Sequence, residues 1–137
     1  MTPEREALAR HRMARARETL AAADRLLGDN ALADAANRYY YAAFHAGRAV
    51  LAAAGLHAAG HKGTIINFQR HFVKTGRIER ETAKALPRAF QLRQSADYDD
   101  FPEITGARLG QTQTEVAAFL AACESLLGEL ASEDPGS

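Results

Sequence analysis

The stretch DAANRYYYAAFHAGR, residues 34–48, constrains this chain more than any other. Wound at ~100° per residue, it places Asp34, Asn37, Arg38, Tyr41, His45 and Arg48 within one sector of roughly 100°. The opposite side carries Leu32, Ala36, Tyr40, Ala43, Gly47, Val50 and Ala54, which are mostly small or apolar. One helix therefore shows a face suited to a core and a face crowded with hydrogen-bonding and titratable groups. Two of those groups are a phenol and an imidazole, not the lysines and glutamates of an ordinary solvated surface. Either this face acts on a ligand, or it pairs its polar groups with neighbouring helices.

The flanking segments read as helices that would pack on this one. Thr2, Pro3 and Glu4 supply an N-cap, a first-turn proline and a first-turn acid. Ala9, Met13, Ala16, Leu20, Ala23 and Leu27 then recur at alternating spacings of 3 and 4, the stripe of a bundle helix. Arg5, Arg10, Arg12, Arg15 and Arg17 scatter around that axis and read as a solvated face rather than a phosphate track. Residues 28–30 are expected to break the first helix and cap the second, which should stop at Gly55, a C′ glycine. Residues 56–63 read as a loop holding His57, His61 and Lys62. The two histidines are four apart, a metal-ligand spacing only on a continuous helix, and Gly55, Gly60 and Gly63 argue against one.

A short third helix is predicted over 64–74, carrying Ile65, Phe68, Phe72 and Val73, with His71 as a rim or packing residue. A fourth spans about 79–95, kinked near Ala83 because Pro87 lacks a backbone donor. Residues 96–103 form an acidic, aromatic loop. The last helix starts near Thr105 and aligns Leu109, Val116, Leu120, Cys123, Leu127 and Leu130, which makes Cys123 a packing residue. The expectation is an all-α single domain over 1–131, an up-and-down four-helix bundle with an additional short helix, and a disordered C-terminal tail over 132–137.

Composition narrows the function classes. A lone cysteine in 137 residues points to a reducing, cytoplasmic setting. No apolar run is long enough for a signal peptide or a membrane span. Lys and Arg balance Asp and Glu, 17 against 17, so any contact with RNA or a nucleotide must come from a local patch. Glu-x-x-His pairs, phosphate-cradling glycine loops and a nucleophile elbow are all missing, so no metal and no cofactor is expected.

The blocks NRYYYAAFH (37–45), GHKG (60–63), FVKTG (72–76) and RQSADY (93–98) resemble, in that order, those of HEPN-domain proteins. The match is to the small stand-alone prokaryotic kind, often encoded beside a minimal nucleotidyltransferase. The resemblance covers about residues 15–130 and implies a helical bundle, a homodimer and RNA or nucleotide as ligand. It further implies metal-independent RNA cleavage, often as the toxin of a toxin–antitoxin pair with a nucleotidyltransferase antitoxin. The superfamily's ribonuclease motif, an arginine followed after four to six residues by a histidine, falls on Arg38 and His45. By that resemblance His45 is the general base or acid on the ribose 2′-OH, and Arg38 stabilises charge on the phosphoryl oxygens. Asn37, Tyr41, Arg48, His61, Lys62, Arg93, Asp97 and Tyr98 are the candidate binding or supporting residues.

The non-catalytic alternative starts from the same residues. Arg93 and Asp97 are four apart and suit a local ion pair, while Asp97, Asp99 and Asp100 could instead reach Arg38 or Arg48. The polar face would then be a structural network, and the chain a binding module for a nucleotidyltransferase.

Overall fold

The computed structural model describes residues 1–133, and among them every regular element is helical. Helix α1 spans Pro3–Gly28, with the Thr2 hydroxyl accepting the Arg5 N–H at 3.1 Å. Helix α2 spans Leu32–Ala53. It ends in a Schellman motif: Leu56 N–H reaches the Leu51 carbonyl, Gly55 N–H reaches Ala52, and Gly55 takes the left-handed φ of 75°. Helix α3 spans Gly60–Phe68 and widens into a π-helical turn over Gln69–Val73. The expected fourth helix appears as α4, Arg80–Ala83, and α5, Ala85–Tyr98, parted at Lys84. Pro87 cannot donate to the Ala83 carbonyl, so the break falls where the missing bond predicts. Helix α6 spans Gly106–Ser132 behind a Thr105 cap on the Arg108 N–H. The end of the expected disordered tail, residues 134–137, lies outside the described residues.

The long helices α1, α2, α5 and α6 form the bundle, with α2 in contact with each of the others. The Tyr39 phenol donates to Asp24 of α1, which marks the α2 side that meets α1. Ala35, Ala42, Ala46, Ala49 and Ala53 share that side by spacing and are all buried. Their small side chains let the Ala9, Met13, Ala16, Leu20 and Ala23 stripe of α1 approach closely. Ala36, Tyr40, Ala43, Gly47 and Val50 are buried on the other side of α2, as the sequence indicates. Because α2 is covered from two directions, its polar face is a narrow strip. Cys123 is fully buried in α6.

Three local expectations need correction. Asn30 does not cap α2: it turns the chain with a φ of 59°, and Ala31 holds the cap position without a side-chain bond. Asparagine tolerates the left-handed region, so the turn takes it. Helix α3 begins at Gly60, four residues before the expected start, so His61 and Lys62 lie in its first turn rather than in a loop. The His61 ring packs against Tyr40, Tyr41, Phe44 and Phe90 and holds that turn against the weak helix propensity of Gly60 and Gly63. Helix α5 runs to Tyr98, three residues past its predicted end.

Candidate functional site

The polar strip of α2 is organised around His45. This imidazole is 9% exposed and has no hydrogen-bond partner among the described residues. Burial first, and then the charges of Arg15, Arg48, Arg38 and Arg12, lower its pKa to about 4. Two of those arginines come from α2 and two from α1, where Arg12 and Arg15 are three apart and flank the buried Met13 and Ala16. Arg12 Nη1 donates to the Arg48 carbonyl at 3.2 Å, and burial together with the Arg48 charge lowers the Arg12 pKa as well. The Arg48 guanidinium lies over the Phe44 ring. The Arg38 guanidinium lies 5.1 Å from the Tyr41 ring centroid. Asn37 Oδ1 accepts from Arg38 Nε at 3.0 Å and from Nη2 at 2.7 Å, which fixes its direction and leaves Nη1 unbound.

Among the described residues no carboxylate forms an ion pair with any of these four arginines. The suggested reach of Asp97 toward Arg38 or Arg48 does not occur. Asp97 Oδ2 instead sits 3.0 Å from Arg93 Nε, the local pair that the i,i+4 spacing allows. Four cations thus crowd a neutral imidazole without a counter-charge. Such an arrangement is suited to an anion with several oxygens, and a phosphodiester is one.

The other candidate residues divide in two. Tyr41 joins both groups: Arg38 lies against it, Arg93 lies 5.7 Å from its centroid, and His61 is 5.8 Å away. Lys62, Tyr98 and Asp34 are exposed and contact none of these groups, with Tyr98 73% exposed at the end of α5. His57 is exposed while His61 packs inward, so the two do not converge. No three His, Cys, Asp or Glu side chains among the described residues gather closely enough to hold a metal ion. A cavity of about 290 Å³ lies elsewhere, between α3 and the α4–α5 break, over Phe68, Val73 and Leu86.

Arg12 and Arg15 are the residues that the sequence reading passed over. Their signal was a spacing of three beside an apolar stripe, and it was diluted by four further arginines on the same helix. Tyr40 was assigned to the core and is fully buried, yet its hydroxyl sits 2.6 Å from His61 Nδ1.

Comparison with known proteins places the chain in a family. The HEPN domain model matches residues 9–133. A UPF0332 protein of Thermotoga maritima is 36% identical over 127 residues, 93% of this chain and 96% of its own. A UPF0332 protein of Gloeobacter violaceus is 42% identical over 99 residues, 72% of this chain and 75% of its own. A Methanocaldococcus jannaschii protein that bears the name "Putative toxin" is 37% identical over 83 residues, 61% of this chain and 62% of its own.

Proposed function

Because the chain belongs to the HEPN family, we propose that it is a toxin that cleaves RNA at the His45 strip of α2. The observation that carries this reading is a buried, neutral and unbonded imidazole under the charge of four arginines that have no carboxylate partner among the described residues. RNA supplies the missing negative charge. With its pKa near 4, His45 is unprotonated at neutral pH and keeps a ring nitrogen lone pair for the 2′-OH proton. In the proposed step it takes the 2′-OH proton as the 2′ oxygen attacks phosphorus. The bond to the 5′ oxygen breaks, and the imidazolium returns the proton to that leaving oxygen. A 2′,3′-cyclic phosphate and a 5′-hydroxyl result. Arg38 stabilises the charge on the non-bridging oxygens, held by Asn37 and Tyr41, while Arg12, Arg15 and Arg48 draw the strand in.

Assembly is part of the proposal: two-fold pairing would bring two copies of Arg38 and His45 to one cleft, and a nucleotidyltransferase would serve as the antitoxin. The burial of His45 also favours a second reading, in which the strip binds but does not cleave and the chain is a module for that partner.

The test is incubation of purified protein with total RNA, with and without EDTA, beside R38A and H45A and their melting curves. Cleavage that survives EDTA and is lost in both folded variants is the expected result. An intact RNA pool with wild-type protein, together with variants that melt far earlier, would leave only the second reading. Light scattering at tens of micromolar checks the dimer, and a monomer there contradicts it.

A further inference from the structure

Beside Tyr41, which also meets Arg38 and His45, α2, α3 and α5 converge on a second polar group. The Tyr40 hydroxyl is fully buried, and His61 Nδ1, 2.6 Å away, is its one hydrogen-bond partner among the described residues. A buried O–H that donates to nothing is costly, so the phenol donates to Nδ1. The phenol keeps that proton, since burial and the neighbouring Tyr41 push its pKa well above the ordinary value. Nδ1 is then an acceptor, and the proton of the neutral imidazole sits on Nε2. Burial and the charge of Arg93 lower the His61 pKa, which favours the neutral ring. Nε2 has no acceptor among the described residues, and the ring is only partly buried. The groups that face it are Tyr40, Tyr41 and Phe44 from α2, and Phe90 and Arg93 from α5, where Arg93 is paired with Asp97.

An N–H donor beside an arginine, with no acceptor among the described residues, matches an anionic oxygen. It is separated from the His45 ring by Tyr41, with Arg38 against one part of that phenol and His61 and Arg93 against another. Tyr41 meets both imidazoles, at 6.1 Å from His45 and 5.8 Å from His61, an arrangement that suits successive phosphates of a strand.

We infer that His61 contacts the substrate as a neutral hydrogen-bond donor, held as the Nε2–H tautomer by Tyr40, and that it binds a phosphate adjacent to the one at His45. The site then requires an oligoribonucleotide with at least two consecutive phosphates, and a mononucleotide fills half of it. This rests on the RNA reading above and names the ligand class for the same site. His61 touches substrate, whereas Tyr40 is a positioning residue.

Two measurements test it. Imidazole ¹⁵N correlation spectra should show His61 of the wild type as the Nε2–H tautomer and Y40F as a mixture, and a dominant Nδ1–H form in the wild type overturns the assignment whatever the protein cleaves. Binding is read with a 2′-O-methyl oligoribonucleotide, which cannot be cleaved, and with a ribonucleoside monophosphate. H61A should weaken the oligomer roughly tenfold or more and leave the monophosphate unchanged. H61Q, whose amide both accepts from Tyr40 and donates outward, should restore most of the loss. Equal oligomer affinity in H61A and wild type, or no recovery in H61Q, overturns the proposal while cleavage by wild type leaves the RNA reading standing. Wild-type protein that binds no oligomer overturns both.

Discussion

Two sets of arginines on this bundle are treated in opposite ways. Arg10, Arg17, Arg77 and Arg88 each meet a glutamate: Glu6, Glu124, Glu129 with Glu133, and Glu81 with Glu115. Arg12, Arg15, Arg38 and Arg48 gather around His45 with no acid among the described residues. The residue type is the same and the chain is neutral as a whole. What differs is where the carboxylates stand. Other exposed arginines, such as Arg5, Arg25 and Arg108, also stand without an acid among the described residues. Only at this strip do four unpaired cations act on one buried imidazole, so a neutral sequence carries a local positive patch. A stabilising network would have placed acids beside those cations, as at Arg10, Arg17, Arg77 and Arg88.

The strongest way to break this contrast is at the chemistry. R38A or H45A should lower RNA cleavage by on the order of 10²–10⁴ with little change in melting temperature. Neither side chain carries an ion pair whose loss would strand a buried charge. A collapse of the fold with no activity to lose would show the strip to be structural after all.

Acid should act next. His45 has its folded pKa pushed down from 6.5 to about 4, so the unfolded chain binds more protons in that interval. Its contribution to stability is complete above pH ~6.5 and declines as pH falls toward 4, by roughly 3 kcal/mol in all. Thermal melts of wild type and H45Q across that window should diverge. R15A, which removes one of the repelling charges, should make the decline shallower. Parallel curves for wild type and H45Q would contradict the burial argument.

A smaller effect is expected where α1, α2 and α6 meet. Asp24 Oδ1 accepts from Tyr39 Oη at 2.7 Å and from Gln113 Nε2 at 2.8 Å. Y39F removes one of the two bonds and should cost about 1 kcal/mol by chemical denaturation, with RNA cleavage unchanged. The smallest should come from the balanced arginines. R17A loses the exposed pair with Glu124 and should shift stability by less than about 0.5 kcal/mol, again with cleavage unchanged. If R17A instead matched R38A in activity, the distinction between the two arginine sets would fail.

Much of this was legible along the chain, because its signals are local. Helix periodicity, the Thr2 and Thr105 ends, the Gly55 stop and the Pro87 break each depend on residues within one or two turns. The first turn of α3 was not legible, since Gly60 and Gly63 oppose a helix. It forms because His61 docks on four rings from α2 and α5. Asn30 likewise offered a cap and became a turn.

By itself the sequence determined an all-α bundle and placed Arg38, Tyr41, His45 and Arg48 on one face of one helix, since 3.6-residue periodicity is a property of the backbone. Only the tertiary structure decided what that face meets. The alanine seam brings α1 close, and Arg12 and Arg15 come to His45 across that seam while Asp97 stays with Arg93. Burial and charge at a point depend on groups far apart in sequence, and no local pattern encodes them. The same is true of the bond from Tyr40 to His61, 21 residues apart, which links a core residue to the edge of the site.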